Sequence, residues 1–392
     1  MTDYQYLIVG GGMTADAATE GIREADSHGS IGLVGADPDA PYNRPPLSKA
    51  LWKGEPLDSV WRRTADRGVT LHLGRRVVTL DASAKRVTDD RGTSYGYGKL
   101  LLATGGTVRR LPFGGDDVIY FRTLADYRRL RQAADAGARC LVIGGGFIGS
   151  EVAAALRLVG RDVTLIVPEA GIGARVYPAD LSRFLVDYYR EKGVDVRTGQ
   201  GVTALERHNG NLAARLSGGE TVTADVAVAG VGIMPDVGLA EQAGLKVDNG
   251  IVVDELLRTT NRDIYAAGDV ANFHSPALDR RVRVEHEDNA LTMGRRAGAN
   301  MAGGTEPYHH VPFFYSDLFD LGYEAVGDLD ARHEIVADWK EPFREGVVYY
   351  VAQGRVRGVL LWNTWGQVDA ARALIAEAVP VSPASLKGRL PA

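Results

Sequence analysis

The residues between Gly144 and Glu169 have the types and spacing needed to hold a dinucleotide. Gly144 permits a tight turn, Gly146 lets backbone approach a pyrophosphate, and Gly149 lets the following helix pack closely on its strand. The N-terminus of that helix offers N–H groups and the positive end of its dipole to phosphate oxygens. Glu169 falls where a carboxylate accepts from a ribose 2′-hydroxyl and repels a 2′-phosphate. A second set opens the chain at Gly10-Gly11-Gly12-Met13-Thr14. Two such sets point to two dinucleotides, one held as a prosthetic group and one exchanging.

Each set needs a strand before it and a helix after it. Cys140-Leu141-Val142-Ile143 is an apolar run for a buried strand, and Ile148, Val152, Ala155 and Val159 recur at helical spacing. A second strand, Asp162 to Val167, closes on Pro168-Glu169. At the N-terminus, Tyr6-Leu7-Ile8-Val9 is the strand, Ala15, Ala18 and Ile22 mark one helix face, and Ile31-Gly32-Leu33-Val34 is the next strand.

Between the two sets, the run from Asp37 through Pro41, Arg44, Pro45 and Pro46 to Lys49 is held extended by its prolines, ahead of a short helix at Ala50-Leu51-Trp52. It either delivers Arg44 and Lys49 to a dinucleotide site or is a solvated basic loop. Short strands follow from Val69 to Val87, and Gly98 to Gly106 is a buried strand ending in a glycine turn. Helices are expected over Asp126 to Ala136, Phe184 to Glu191 and Glu285 to Ala299. Val194 to Ala204 and Leu212 to Val222 have the pattern of a hairpin layer, and Asp225 to Gly232 that of a third buried strand with a glycine end. Ile251 to Asp254 and the strand–glycine–acid run ending at Gly268-Asp269 return the chain to its first domain. From Tyr308 on, aromatic and β-branched runs predict an antiparallel sheet carrying a helix from Asp369 to Ala378.

At 392 residues the chain predicts two or three domains, and 48 glycines suit many tight turns. A net charge of −5 and no basic cluster interleaved with aromatics speak against nucleic acid. No apolar run approaches the roughly 18 residues of a membrane span, so no membrane partner is expected. The first strand begins by Tyr4, which leaves no room for a targeting peptide and suggests a cytoplasmic protein. Cys140 is the single cysteine, set in a strand as a small core residue. A redox-active cysteine pair within the chain is therefore impossible. His309-His310 would point to opposite faces of a strand, and no metal site is expected.

Arg44-Pro45-Pro46-Leu47-Ser48-Lys49, Ala103-Thr104-Gly105-Gly106, Gly144 to Glu151 and Ala266-Ala267-Gly268-Asp269 resemble, in order, motifs of the two-dinucleotide flavoprotein reductases. Within them the chain is most similar to the apoptosis-inducing-factor/ferredoxin-reductase branch. Arg283 to Ala290, Phe314-Tyr315-Ser316-Asp317, Gly322 to Ala325 and Val359 to Asn363 favour the apoptosis-inducing-factor side. The resemblance implies an α/β fold with two Rossmann-like dinucleotide-binding domains in a glutathione-reductase-like FAD/NAD arrangement. A small α+β C-terminal domain with an antiparallel sheet would follow. The implied bounds are 1–115 and 240–307 for FAD, 116–239 for NAD and 308–392 for the C-terminal domain.

Carried onto these positions, the resemblance places Gly10, Gly11, Gly12, Met13 and Thr14 at the FAD pyrophosphate. Arg44, Lys49 and Arg109 fall at the flavin nucleotide, Val77 at adenine and Asp269 at the ribityl or pyrophosphate region. The helix after His286 and Glu287 would aim at the isoalloxazine, with Tyr315 on the flavin side. For NAD it implies Gly145, Gly146, Phe147, Ile148, Glu169, Arg175, Gly232, Glu285, His286, Glu324 and Asn363. Lys49 and Glu151 would pair near the flavin N5, as the catalytic couple. Three positions depart from the family pattern. The ribose acid is Ala36, with Asp37 next to it; the flavin-side tryptophan is Tyr315; and no tryptophan follows Glu285. The implied function is FAD-dependent NADH oxidation with electrons passed to an external acceptor: a small iron–sulfur protein, a quinone or oxygen. The alternative is an NADH-sensing module of slow turnover whose reduced state controls partner or self-association. A homodimer is left open.

Overall fold

The computed structural model describes residues 2–377 and 379–391. The chain divides into two compact units. One comprises Met1–Asn43, Asp58–Thr107 and Ile233–Phe313, the other Arg44–Leu57, Val108–Gly232 and Phe314–Ala392.

The largest sheet of the first unit is mixed and seven-stranded. Val69–Leu73, Ile31–Gly35, Thr2–Val9 and Ser94–Leu102 run in that order as parallel neighbours, and Ile264–Ala266 also pairs parallel with Ser94–Leu102. Arg86–Asp89 and Val77–Asp81 extend the sheet antiparallel. Leu7, Ile8, Leu33, Leu100, Leu101 and Ile264 are fully buried, as expected where a parallel sheet is covered on its faces. The helix Met13–Ala25 crosses the helix Glu287–Met301 at very short range. A Cβ at Gly298 would lie 2.0 Å from the Ala18 carbonyl oxygen, and one at Gly294 would lie 2.4 Å from that of Thr14. Only glycine lets the two helix backbones approach so closely.

Among the described residues, the second unit holds three sheets. Asp195–Thr198, Val163–Val167, Cys140–Ile143, Val226–Ala229 and Val118–Tyr120 form a parallel sheet in that order. Val202–His208, Asn211–Leu216 and Thr221–Ala224 form an antiparallel layer. The C-terminal sheet has the order Phe313–Leu318, Leu321–Gly327, Arg355–Trp362, Glu345–Ala352, Glu334–Glu341. The helix Val368–Ala376 packs Ala371, Leu374 and Ile375 against it.

Several local expectations shift. Asp195–Thr198 belongs to the parallel sheet rather than to a hairpin layer, because Gly199 in the left-handed region (φ +69°) ends it and lets the chain turn before Val202. Pro45–Ser48 and Ala50–Lys53 are two 3-10 turns instead of one short helix. The helix expected from Phe184 begins at Ala179, directly after Pro178. That expected from Glu285 spans Glu287–Met301, and Ala378, the expected end of the last helix, lies outside the described residues. His309 and His310 sit in irregular chain and not in a strand, since Pro307 and Pro312 remove backbone donors on either side. Among the described residues, no helix is long and apolar enough to cross a membrane.

Candidate active site

In the first unit the glycine turn follows directly from Thr2–Val9. Gly10 takes φ +124°, and a Cβ there would lie 2.1 Å from the Ala103 carbonyl oxygen. Its N–H donates to the Val34 carbonyl at 2.9 Å, which ties the turn to the neighbouring strand. Gly12 is the N-cap of Met13–Ala25 and carries no side-chain cap, an arrangement that can offer the first amides of the helix to an anion. Thr14 is buried, and a Cβ on Gly268 would lie 2.2 Å from its hydroxyl. That approach brings the Gly268–Val270 turn, and with it Asp269, beside the glycine turn. These features fit a bound FAD pyrophosphate.

Ala36 is exposed just past Ile31–Gly35. Asp37 next to it accepts from the Tyr42 hydroxyl at 3.0 Å and from the Asp39 N–H at 3.1 Å, which fixes its carboxylate. Val77 is buried at the start of Val77–Asp81. His286 is the extended N-cap of Glu287–Met301. Burial pushes its imidazole pKa down to about 4, against the opposing pull of Asp269 and Asp288. Glu285 pairs with Arg283 at 2.6 Å.

In the second unit, Gly144 (φ +106°) donates its N–H to the Ile166 carbonyl at 2.9 Å. A Cβ at Gly149 would lie 1.8 Å from the Gly144 carbonyl oxygen, so the helix Phe147–Leu158 closes on the turn itself. The N-cap, Gly146, has no side-chain cap, and nothing stands within 4 Å of where its Cβ would be. An anion has both room and donors there, as a dinucleotide phosphate requires. Gly145 accepts from the Gly173 N–H at 2.9 Å, which draws the loop bearing Arg175 to the turn. Arg175 pairs with Glu169 at 2.8 Å. Ile148 stays open at 39%, and Phe147 meets Phe314 at 4.9 Å between ring centroids.

Arg44 leads into the Pro45–Ser48 turn, which carries Lys49 at its end. Lys49 and Glu151 pair at 2.7 Å with their side chains 11% and 3% exposed. Oε2 of Glu151 also accepts from the Ser48 hydroxyl at 2.6 Å, and Oε1 accepts from the Ser316 hydroxyl at 2.6 Å. The Lys49 ammonium lies 5.4 Å from the centre of the Tyr315 ring. Burial raises the phenol pKa values of Tyr177, Tyr189 and Tyr323 around this carboxylate, so those groups stay neutral. Neither serine was singled out from sequence. Both lie inside motifs noted there, but nothing local shows that they converge on one carboxylate.

The remaining positions are more scattered. Arg109 donates its N–H to the Gly232 carbonyl at 2.9 Å, so a residue expected at flavin and one expected at NAD are neighbours. Glu324 accepts from the Gly366 N–H at 3.2 Å, and burial raises its carboxyl pKa. The Asn363 amide is spent inside the C-terminal sheet: Oδ1 accepts from the Gly322 N–H at 2.7 Å and Nδ2 donates to the Arg344 carbonyl at 2.9 Å.

Residues 4–294 match the family model of the pyridine nucleotide-disulphide oxidoreductases. The chain belongs to that family. Residues 297–341 further match the C-terminal domain of the mitochondrion-associated apoptosis-inducing factor. The chain is 36% identical to the ferredoxin reductase subunit of a 5,5′-dehydrodivanillate O-demethylase from Sphingobium sp., over 97% of this chain and 95% of that one. It is 32% identical to apoptosis-inducing factor 1 of Dictyostelium discoideum, over 95% and 78%. Among solved structures, the covalent putidaredoxin reductase–putidaredoxin complex matches at TM-score 0.91 and 34% identity, covering 98% of this chain and 96% of that one. As a pyridine nucleotide-disulphide oxidoreductase of the apoptosis-inducing-factor and ferredoxin-reductase type, the protein uses FAD and NAD(H). It passes a hydride from NADH to flavin and electrons on to an external acceptor. These relatives support turnover and give no support to the sensing alternative. Despite the family's name, the chain has a single cysteine, the buried Cys140, and so carries no disulphide of its own.

Proposed function

We propose that this oxidoreductase is an NADH-dependent reductase of a small iron–sulfur protein, working in the cytoplasm where NADH is made. The observation that carries this is the full-length likeness to a reductase solved in covalent complex with putidaredoxin. The absence of a cysteine pair agrees with it, because electrons cannot be parked on thiols and must leave directly from the flavin.

In this reading FAD belongs to 1–115 and 240–307, NAD to 116–239, and the C-terminal domain spans 308–392. Gly10 to Thr14, Val77 and Asp269 hold FAD, with Asp37 in the ribose role that Ala36 cannot fill. Gly145 to Ile148 hold the NAD phosphates, while Glu169 and Arg175 take the adenosine ribose. Bound FAD supplies hydride acceptance at N5. Lys49 holds a positive charge near that atom, and Glu151 holds the lysine. Gly232, Glu324 and the backbone at Asn363 line the nicotinamide side.

The test is stopped-flow reduction of the FAD-loaded protein by NADH, followed by reoxidation against a [2Fe–2S] ferredoxin, a quinone and oxygen. Fast reoxidation by the ferredoxin alone is the expected result. Faster turnover with quinone or oxygen would reassign the acceptor. Reduction of Lys49→Ala at the wild-type rate would remove the lysine from the flavin.

A further inference from the structure

Four consecutive residues of the strand Phe313–Leu318 each meet a different residue of the second unit. Phe314 meets Phe147, Tyr315 meets Lys49, Ser316 meets Glu151, and Asp317 pairs with Lys53 at 2.7 Å. Two of these contacts fall on the Lys49–Glu151 couple itself, and of the four residues only Ser316 touches its carboxylate. We propose that Ser316 is a positioning residue. It pins Oε1 of Glu151 so that Oε2 stays on Lys49, and so fixes where the ammonium stands. The proposal rests on the reading above that this ammonium faces the flavin.

A buried carboxylate has several acceptor positions, and its terminal torsion is soft. Oε2 has two donors, Lys49 and Ser48, while Oε1 has Ser316. Ser48 also has a second acceptor within reach, the Pro45 carbonyl at 3.4 Å, so its hydroxyl can turn away. Without the Ser316 hydroxyl, Oε1 becomes a buried acceptor lacking that donor. The carboxylate then gains by rotating to share Lys49 between its two oxygens or by admitting water. Either response moves the lysine relative to the Tyr315 ring. Ser316 is itself 1% exposed, so water cannot take the place of its hydroxyl without a rearrangement.

Two measurements test this. The first needs no flavin: reductive methylation of Lys49 with formaldehyde and cyanoborohydride, followed site by site by mass spectrometry in FAD-free protein. Ser316→Ala should raise the labelling rate of Lys49 by about three- to tenfold, the scale of one lost hydrogen bond. Ser316→Thr, which keeps the hydroxyl, should restore it, and other lysines should be unchanged. The second is reduction of the FAD-loaded variants by NADH across pH. Ser316→Ala should slow it by about three- to tenfold, leave the KM for NADH within about twofold, and displace the pH profile. On a Lys49→Ala background the same change should add less than about twofold.

Unchanged Lys49 labelling in Ser316→Ala overturns the proposal, as does an equal kinetic loss on both backgrounds. Altered labelling with an unaltered reduction rate would keep Ser316 as the positioner of Lys49 and instead overturn the placement of Lys49 at the flavin. If Ser316→Ala does not fold, Ser48→Ala removes a hydroxyl from the other oxygen. It should leave Lys49 labelling within about twofold, since Ser316 still holds Oε1, and Ser316→Cys, which keeps the shape but weakens the donor, must raise the labelling or the proposal fails.

Discussion

Arg175 reaches Glu169 at 2.8 Å while its own side chain is 84% exposed. A pair so open contributes at most about 1 kcal/mol, so a ribose hydroxyl can displace the arginine at little expense. With the adenosine ribose at Glu169, as proposed above, a 2′-phosphate would stand beside a carboxylate and be repelled. The expected preference is for NADH, by about one to two decades in kcat/KM, or roughly 2–3 kcal/mol. Glu169→Gln should narrow the ratio by raising kcat/KM for NADPH, because repulsion is gone and Arg175 is freed for the phosphate. A wild-type enzyme that handles both cofactors equally would refute this, and so would a variant with an unchanged ratio.

Gly149→Ala should separate the two nucleotide sites. The added Cβ would sit 1.8 Å from a backbone carbonyl oxygen, which cannot move as a flexible side chain can. Opening the turn costs about 1–3 kcal/mol and spoils the spacing of the phosphate-binding amides. The KM for NADH should rise at least about tenfold while FAD stays bound in full. Loss of FAD with unaltered NADH affinity would contradict the assignment of this turn to NAD.

His286 gives a pH dependence of definite sign. Its folded-state pKa, about 4, lies below the ordinary 6.5. Between those values the unfolded chain takes up a proton that the native protein refuses. Stability is therefore full above about pH 6.5 and falls as pH drops toward 4. The side chain is only partly shielded from solvent, so the loss is discounted to about 1–2 kcal/mol. Melting temperatures of wild type and His286→Gln at about pH 7.5 and pH 5 check it. The variant should lose less on acidification, and parallel losses would show that His286 stays charged in the native state.

Cys140 should be inert. Burial pushes its thiol up to about 12, and 2% of the residue is exposed. At about pH 8 an aromatic disulfide reagent should titrate no thiol in the native protein and one after denaturation. A rapid native reaction would mean that the strand Cys140–Ile143 opens readily, and would argue against its central place in the parallel sheet.

What was legible in the sequence was local. Gly146 caps its own helix and Gly149 closes on Gly144 five positions away, so their spacing carries the cap and the close approach, whereas the backbone that crowds Gly144 is Gly230, far along the chain. Glu169 follows from the strand that delivers it. The serines on Glu151 were not legible. Ser48 and Ser316 come from sequence positions far before and far after it, and a serine's type says nothing about which carboxylate it will face. The misplacement of Asp195–Thr198 has the opposite cause. Its alternation is real, but alternation does not distinguish the edge of a parallel sheet from a hairpin, and Gly199 decides the matter. At His309 and His310 the flanking prolines outweighed the β-forming residues beside them.

The glycine-tight crossing of Met13–Ala25 on Glu287–Met301 also orders events in time. The first unit cannot be finished by its N-terminal stretch alone, because the helix that closes on Thr14 and Ala18 and the strand Ile264–Ala266 are synthesised last among its parts. The parallel sheet of the second unit, contained in Val118–Ala229, is complete on the ribosome well before that. Folding should thus begin in the middle of the chain, with the first unit, proposed above to hold FAD, waiting as an open half of high contact order. A fragment of residues 1–240 should accordingly fold its nucleotide-exchanging half yet retain no FAD through gel filtration, and a yellow fragment would show that the cradle closes without its last helix.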